Sequence, residues 1–185
     1  DIPPATQGAV LTLGDGCQVT LDTAQKGMLP NQGGTQVLLS HGTVAYDDHS
    51  ANAVSYNTLS TPKGKLFHLV LPDGSELWLN AASSVTFPTS FSKTERSVTL
   101  KGEAYFDIRH DAARPFRVKL ANNTTVQVLG TAFNINAYEN EKAVTTTLIN
   151  GRVRVLDGGN NSRTLQPGDQ ASTGYAAGGI QLSRA

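Results

Sequence analysis

The four histidines are the residues best suited to binding a metal ion: His41, His49, His68 and His110. No two of them have the His-x-His or His-x-x-x-His spacing that would aim two imidazoles at one ion. One arrangement stays open, a loop metal site made by His41, Asp47 and His49. Scattered positions on strands and surfaces explain the histidines without a ligand, so the sequence predicts no metal site and no cofactor.

Carboxylates could serve a glycosidase, which needs two acidic side chains facing each other across a cleft. The strand acids that could take this role are Glu76, Glu103 and Asp107, although solvated strand faces explain them better. No serine lies in a Gly-x-Ser-x-Gly frame, and no Gly-x-Gly-x-x-Gly opens a helix. The sequence therefore predicts that the chain is not an enzyme and has no catalytic residue.

The single tryptophan, Trp78, alternates with Leu77 and Leu79. If both leucines face the core, Trp78 points to the other face of its strand, where it could stack on a sugar or on a protein partner. The alternative is that a second sheet covers the indole. Trp78 and Tyr105 are the candidate exposed contact aromatics.

Composition limits the classes of function. The 15 basic and 15 acidic residues give a formal net charge of zero, so no overall field attracts nucleic acid, and none is expected as a partner. No run approaches the ~18 apolar residues of a membrane span. Cys17 is the only cysteine, which excludes an intrachain disulfide and favours a small core or hairpin residue over a reactive thiol.

Short alternating runs of apolar and polar residues position these groups. Phe116, Val118 and Leu120 alternate with Arg117 and Lys119, which is the period of a half-buried strand and not of a helix. Similar runs are separated by clusters of Gly, Pro, Asn and Asp that can reverse a strand. The carboxylates expected to accept backbone hydrogen bonds in such turns are Asp15, Asp73, Asp157 and Asp169. The pattern predicts an all-β fold, with an exposed irregular connection over residues 47–58.

An internal similarity adds to this prediction. Residues 11–22 align with residues 69–80 at an offset of 58, and a glycine-led strand follows each copy, at Gly42 and at Gly102, with a shorter echo at Gly151. Because one hairpin cannot bury its apolar face alone, repeated hairpins imply stacked units around a shared interior. We expect two facing, mostly antiparallel sheets in a twisted, solenoid-like stack of hairpins, forming one domain over 1–185. A β-sandwich or jelly roll is the alternative.

A series of motifs runs in order from Leu66 to Ser172. They are Leu71-Pro72-Asp73-Gly74-Ser75, Leu77-Trp78-Leu79-Asn80, Ser84, Phe87-Pro88 to Phe91, Arg96 to Phe106, Arg114 to Val118, Val126 to Asn134 and Leu165 to Gly168. In this order and spacing they resemble the FecR family of membrane-spanning anti-sigma regulators. Residues 1–65 are similar to the N-terminal strands of one branch of that family, which leaves 66–175 as the core.

The resemblance implies a periplasmic signal-relay domain of a single-pass inner-membrane protein. Its relatives pass the state of a TonB-dependent outer-membrane receptor to an extracytoplasmic-function sigma factor. The sigma factor is held by a cytoplasmic segment that this sequence lacks. The receptor's signalling domain would be contacted here or through a C-terminal domain that is also lacking. A secreted carbohydrate-binding or adhesive β-domain is the alternative function.

The resemblance also implies one chemical event. Some relatives are cut at a Gly-Thr bond that matches Gly130-Thr131, where the threonine hydroxyl can attack the preceding carbonyl in an N-to-O acyl shift. Gly130 and Thr131 are therefore a candidate self-cleavage junction. The alternative is a strand-ending turn in which Thr131 hydrogen-bonds to the backbone.

Overall fold

A computed structural model describes residues 6–22, 26–28, 36–40, 42–47, 54–159, 161–174 and 179–185. The described residues form strands and turns and contain no helix, as the period-2 patterning predicts. The strands are β1 (Thr6–Thr12), β2 (Gln18–Asp22), β3 (Lys26–Met28), β4 (Gln36–Ser40), β5 (Thr43–Asp47), β6 (Tyr56–Thr61), β7 (Lys65–Val70), β8 (Glu76–Leu79), β9 (Ser83–Pro88), β10 (Arg96–Asp107), β11 (Phe116–Lys119), β12 (Thr125–Val128), β13 (Ala132–Ala137), β14 (Ala143–Asn150), β15 (Val153–Leu156), β16 (Ser162–Leu165), β17 (Asp169–Gly174) and β18 (Ile180–Arg184).

The strands pair into two sheets that share β10 and are also joined by a short pairing of β1 with β7. The first sheet has the order β2-β1-β6-β9-β10-β11-β12-β15-β16. The second has the order β3-β4-β5-β7-β8-β10-β13-β14-β17-β18. The pairings β10–β11, β5–β7 and β1–β7 are parallel, and the other described pairings are antiparallel.

Aromatic contacts show that the two sheets face each other. Phe106 of the second sheet lies 6.3 Å from Phe116 of the first, measured between ring centroids. Tyr46 of the second sheet lies 4.9 Å from Phe87 of the first. Buried and accessible residues alternate along the strands between these points. Each sheet therefore buries one face in a common core.

From β11 onward the chain adds one hairpin to each sheet in turn. β11–β12 and β15–β16 join the first sheet, and β13–β14 and β17–β18 join the second. This alternation confirms the predicted stack of hairpins and separates it from the sandwich alternative. Pairings such as β6–β9 and β5–β7 also join residues that come before residue 65 to residues that come after it. The single domain over 1–185 and its division at residue 65 stay predictions.

The internal similarity corresponds to two hairpins with the same turn. In the first, Leu13 N–H donates to Cys17 O and Gly16 N–H donates to Leu13 O. In the second, residues 71, 75 and 74 make the same two bonds. A third turn of this kind spans 120–124. Sequence comparison missed it because Asn122 and Asn123 replace the Asp-Gly pair, and Asn123 adopts the left-handed φ of 63° that glycine supplies elsewhere.

The strand β10 bends at Gly102, where it passes from one sheet to the other. Its residues 96–101 pair with β9 and β11, and residues 102–107 pair with β8 and β13. Gly102 has a φ of 93° and is buried against Ser83. Gly42 and Gly151, the other predicted strand leaders, have φ values of 83° and 94°. The three glycines that the sequence comparison aligned therefore share a left-handed backbone conformation.

The turn carboxylates accept backbone N–H bonds as predicted, for example Asp15 from Cys17 and Asp73 from Ser75. Cys17 is an exposed hairpin residue. The hydrogen bond and the charge of Asp15 raise the pKa of its thiol, which fits the prediction of an unreactive cysteine.

The predicted irregular connection over 47–58 is wrong at both ends. Asp47 ends β5, and residues 56–58 belong to β6. The strand begins at Tyr56 because Asn57 and Leu59 alternate inward and are buried. Residues 48–53 lie outside the described residues.

Candidate functional site

The Gly130-Thr131 junction lies between β12 and β13, where Thr131 hydrogen-bonds to the backbone of two other chain segments. Thr131 N–H donates to Ile108 O over 3.2 Å, and Ile108 N–H donates back to Thr131 O over 2.9 Å. The Thr131 hydroxyl donates to Arg152 O over 2.9 Å, and the residue is only 5% exposed. A backbone carbonyl thus engages the hydroxyl that an acyl shift would need, which is the bonding that the alternative interpretation predicts.

Close backbone packing explains the glycines around this junction. A Cβ on Gly130 would lie 2.5 Å from the Cα of His110, and a Cβ on Gly151 would lie 3.0 Å from Gly130 O. A side chain does not fit at 2.5 Å, and at Gly151 the tight contact is combined with a left-handed φ of 94° that disfavours any residue with a Cβ. The junction is therefore a crossing of three chain segments at which only glycine allows the approach.

A groove of about 520 Å³ opens beside the junction, and none of its lining residues is acidic. Arg152 and Arg154 supply its positive charge, and Leu129 is 42% exposed beside them. Thr164 of β16 forms one wall. Because cationic and apolar groups lie together here, the groove suits a partner that carries carboxylates and small apolar side chains.

A buried arginine lies on the other side of Leu129. The Arg96 side chain is fully buried at the start of β10, and its ring of acceptors matches the five N–H groups of a guanidinium in number. The acceptors are Asp73 Oδ2 at 2.8 Å, Arg109 O at 2.8 Å, Arg114 O at 2.8 Å, Leu129 O at 3.1 Å and Asp111 O at 3.4 Å.

This Arg96 hub joins three parts of the stack. Asp73 belongs to the β7–β8 turn, where it also accepts from the Ser75 hydroxyl over 2.7 Å. The carbonyls at 109, 111 and 114 belong to the β10–β11 connection, and the carbonyl of Leu129 belongs to the segment that leads into the junction. One side chain therefore fixes the positions of all three segments.

Asp111 extends the hub to the surface. A 2.8 Å ion pair with Arg114 lowers the pKa of the Asp111 carboxyl, chiefly through the side-chain hydrogen bond. The same carboxylate accepts the N–H of Ala113. The β10–β11 connection is thus held in a turn that presents its carbonyls to Arg96.

Trp78 and Tyr105 lie side by side on the outer face of the second sheet. Their ring centroids are 5.5 Å apart and their planes are tilted by 55°. The other face of the indole stacks on His68, at 4.6 Å and 12°. Trp78 remains 37% exposed. The predicted pair is therefore a packed row of rings with an open wedge on the Tyr105 side.

The remaining sequence candidates do not converge on one site. Glu76 and Asp107 are direct neighbours on adjacent strands, so they share a face and do not oppose each other across a cleft. Glu103 binds the amides of Asn134 and Asn80. Among the described residues, no three side chains of His, Cys, Asp or Glu cluster in a way that could hold a metal ion.

The loop metal hypothesis rests on His41, Asp47 and His49. Both histidines and the Asp47 side chain lie outside the described residues.

Within the described part of the chain, no helix has the length and apolarity to cross a bilayer.

Comparisons with known proteins identify the family. The family model described as FecR protein matches residues 57–154, which is more than half of the chain and covers both the Arg96 hub and the Gly130-Thr131 junction. The chain belongs to the FecR family. This confirms the family that the motif order predicts.

Two solved structures support the assignment. They are crystal structures, at 1.65 Å and 2.50 Å, of a candidate anti-sigma factor from Parabacteroides distasonis ATCC 8503. They are 31% and 30% identical to the FecR chain described here, with TM-scores of 0.65 and 0.66. The alignments cover 69% and 70% of this chain, which spans 59% and 60% of theirs. A comparison with curated proteins gives no match.

Gly130-Thr131 of this FecR domain is a candidate junction for self-cleavage, and intact mass spectrometry tests whether the bond is cut. We expect the purified chain and its Thr131→Ala variant each to give one uncut species, because the carbonyl of Arg152 that engages the hydroxyl cannot take up its proton. Fragments that end at Gly130 and begin at Thr131 in the wild type, and their loss in the variant, would contradict this expectation and establish the acyl shift.

Proposed function

We propose that this FecR domain is the regulatory domain of an anti-sigma factor and that it acts by binding a protein partner. The family assignment supports the proposal, as does the relative from Parabacteroides distasonis described as a candidate anti-sigma factor. Its sequence identity of 31% over 69% of this chain extends beyond a shared fold.

In its finer form, the proposal assigns the domain to the periplasm, anchored through a single inner-membrane helix. The partner is the signalling domain of a TonB-dependent receptor, and the regulated protein is an extracytoplasmic-function sigma factor. The resemblance to the FecR family supports these assignments, and binding and gene-neighbourhood data would test them.

The observation that carries the binding function is the edge strand β16 beside the basic groove. Among described residues, β16 pairs only with β15, and Ser162, Arg163 and Thr164 are exposed. An edge strand can accept a further strand through backbone hydrogen bonds. Because Thr164 also lines the groove, a strand added here would bring its side chains toward Arg152 and Arg154.

Leu129 provides a route from the groove to the interior. Its side chain lines the groove, and its carbonyl accepts a hydrogen bond from Arg96. A partner that binds one arrangement of this segment more tightly than another would shift the population toward that arrangement. The signal would then be a change in packing at the hub, which requires no catalytic residue.

Charge reversal tests the groove. We expect Arg152→Glu with Arg154→Glu to weaken binding of the receptor's signalling domain at least about tenfold, or ~1.4 kcal/mol, because like charges would then meet across the contact. Isothermal titration calorimetry measures the affinity. Lys93→Glu with Lys142→Glu changes the net charge equally at exposed positions outside the groove.

The control pair is expected to keep wild-type affinity at physiological ionic strength, where exposed charges are largely screened beyond about 8 Å. Equal weakening in both double variants would mean that only net charge matters. That result, or wild-type affinity in the groove variant, would contradict a contact at the groove.

A further inference from the structure

The outer face of the second sheet carries two cross-strand rows without a charged residue. Strands β13, β14, β17 and β18 bring these residues into register, four to a row. The first row is Asn134, Thr147, Gln170 and Ser183, and the second is Asn136, Thr145, Ser172 and Gln181.

These rows form a neutral hydrogen-bonding surface. The residues beneath them, such as Ile135, Thr146 and Ala171, are buried, so the eight amides and hydroxyls lie on the solvent side. Amide and hydroxyl groups both donate and accept hydrogen bonds. Neither row carries a charged side chain, so the rows offer hydrogen bonds without ion pairs.

The first row continues across the sheet into the aromatic residues. Asn134 pairs with Tyr105, Tyr105 with Trp78, and Trp78 with His68. His68 stacks on the indole, the Tyr105 ring is tilted by 55° to it, and Trp78 remains 37% exposed. The neutral surface therefore ends at an open aromatic wedge.

A depression of about 210 Å³ lies between the wedge and the rows. Glu103 lies in its lining, and its two carboxylate oxygens accept from Asn134 Nδ2 over 3.1 Å and from Asn80 Nδ2 over 3.4 Å. The three polar side chains hold one another in place before any ligand arrives. Such preorganisation lowers the entropy cost of binding.

We propose that this face binds a neutral oligosaccharide. A sugar ring has apolar C–H faces, which suit the Trp78–Tyr105 wedge, and hydroxyls, which suit Glu103, Asn134 and the polar rows. Nucleic acid and acidic peptides need cationic contacts, and neither row supplies one. The site lies on the second sheet, whereas the groove lies on the first. Sugar binding would therefore be a separate function, in addition to the partner binding proposed at the groove.

Intrinsic fluorescence reports this binding directly, because Trp78 is the only tryptophan. The chain is titrated with maltohexaose, cellohexaose, mannohexaose, xylohexaose and laminarihexaose, and with a heparin hexasaccharide as the charged comparison. We expect at least one neutral sugar to give a saturable change that does not weaken between 50 and roughly 500 mM salt, since no ion pair is involved.

Two variants and one control localise the site. We expect Tyr105→Ala and Glu103→Gln each to weaken the binding at least tenfold, while Tyr56→Ala leaves it unchanged. Tyr56 is a 64% exposed tyrosine on the first sheet, so its loss matches the removal of a surface aromatic elsewhere. Glu103→Gln keeps the size of the side chain, and circular dichroism confirms that each variant is folded.

The outcomes separate this proposal from the relay. The proposal would be overturned if none of the neutral sugars bound at concentrations up to about 10 mM, which corresponds to a very weak affinity. Binding that neither variant weakens would also overturn it. Binding of the heparin fragment alone would also overturn it. If Tyr105→Ala instead reduced affinity for the receptor's signalling domain, the face would be a protein contact. Each result concerns this sheet face and leaves the groove test unaffected.

Discussion

Replacing Arg96 by methionine is expected to lower the free energy of unfolding by about 3–5 kcal/mol, the usual cost of breaking a buried ion pair from one side. The variant would leave Asp73 as a buried carboxylate, at 4% side-chain exposure, without its cation. It would also leave four carbonyls, at 109, 111, 114 and 129, without their side-chain donor. A methionine fills similar volume, so the loss measures the polar network and not a cavity.

Urea unfolding followed by circular dichroism checks this expectation. Arg184→Met is the matched control, because Arg184 forms a comparable 3.0 Å pair with Asp169 while its side chain is 75% exposed. Exposed pairs of this kind contribute roughly 0–1 kcal/mol. Arg96→Lys should recover only part of the loss, since an ammonium has three donors and not five. Equal losses in Arg96→Met and Arg184→Met would show that the hub does not stabilise the fold.

Replacing Gly102 by alanine is expected to destabilise the chain by about 2–5 kcal/mol. The left-handed backbone at this residue costs a residue with a Cβ roughly 1–2 kcal/mol. The new methyl group would also overlap the Ser83 hydroxyl and lie 2.9 Å from the Ser83 Cα, and overpacking of this kind costs about 1–3 kcal/mol. Ser83 cannot easily move, because its hydroxyl accepts Glu103 N–H and donates to Ala81 O.

Gly16→Ala separates the two causes. Gly16 has a similar φ of 89°, and a Cβ there would meet nothing within 4 Å. We expect this variant to lose only the backbone contribution, about 1–2 kcal/mol. Thermal or urea unfolding of both variants gives the difference. Equal destabilisation would mean that the bend of β10 tolerates a side chain, and the role assigned to Gly102 would be wrong.

Much of the fold follows from local patterns in the sequence. Period-2 alternation predicts the strands because each strand buries one face, and turn clusters predict where they reverse. The offset of 58 predicts two equivalent hairpins, which the structure contains. The alternation that turns Val98 and Leu100 inward also turns Arg96 inward. That parity was the available signal for the hub: it could have pointed to a buried arginine but not to its acceptors, and Arg96 was not among the predicted site residues.

The rest depends on pairing between distant strands. The register of β7, β8 and β10 puts His68, Trp78 and Tyr105 in one row, and no local pattern encodes that register. The acceptors of Arg96 come from positions 73 to 129, because strand pairing brings separate turns together. The groove likewise joins His110 to Thr164. Local propensity predicts elements, and long-range packing decides which of their side chains meet.

A direct calorimetric titration tests the central claim, that this domain is a contact surface for a signalling partner. The proposed periplasmic region is titrated with the signalling domain of the TonB-dependent receptor proposed as its partner. The account predicts saturable binding with a stoichiometry of one, weakened by charge reversal at Arg152 and Arg154 and retained in the control at Lys93 and Lys142. Absence of heat and of complex formation at every concentration tested would contradict it.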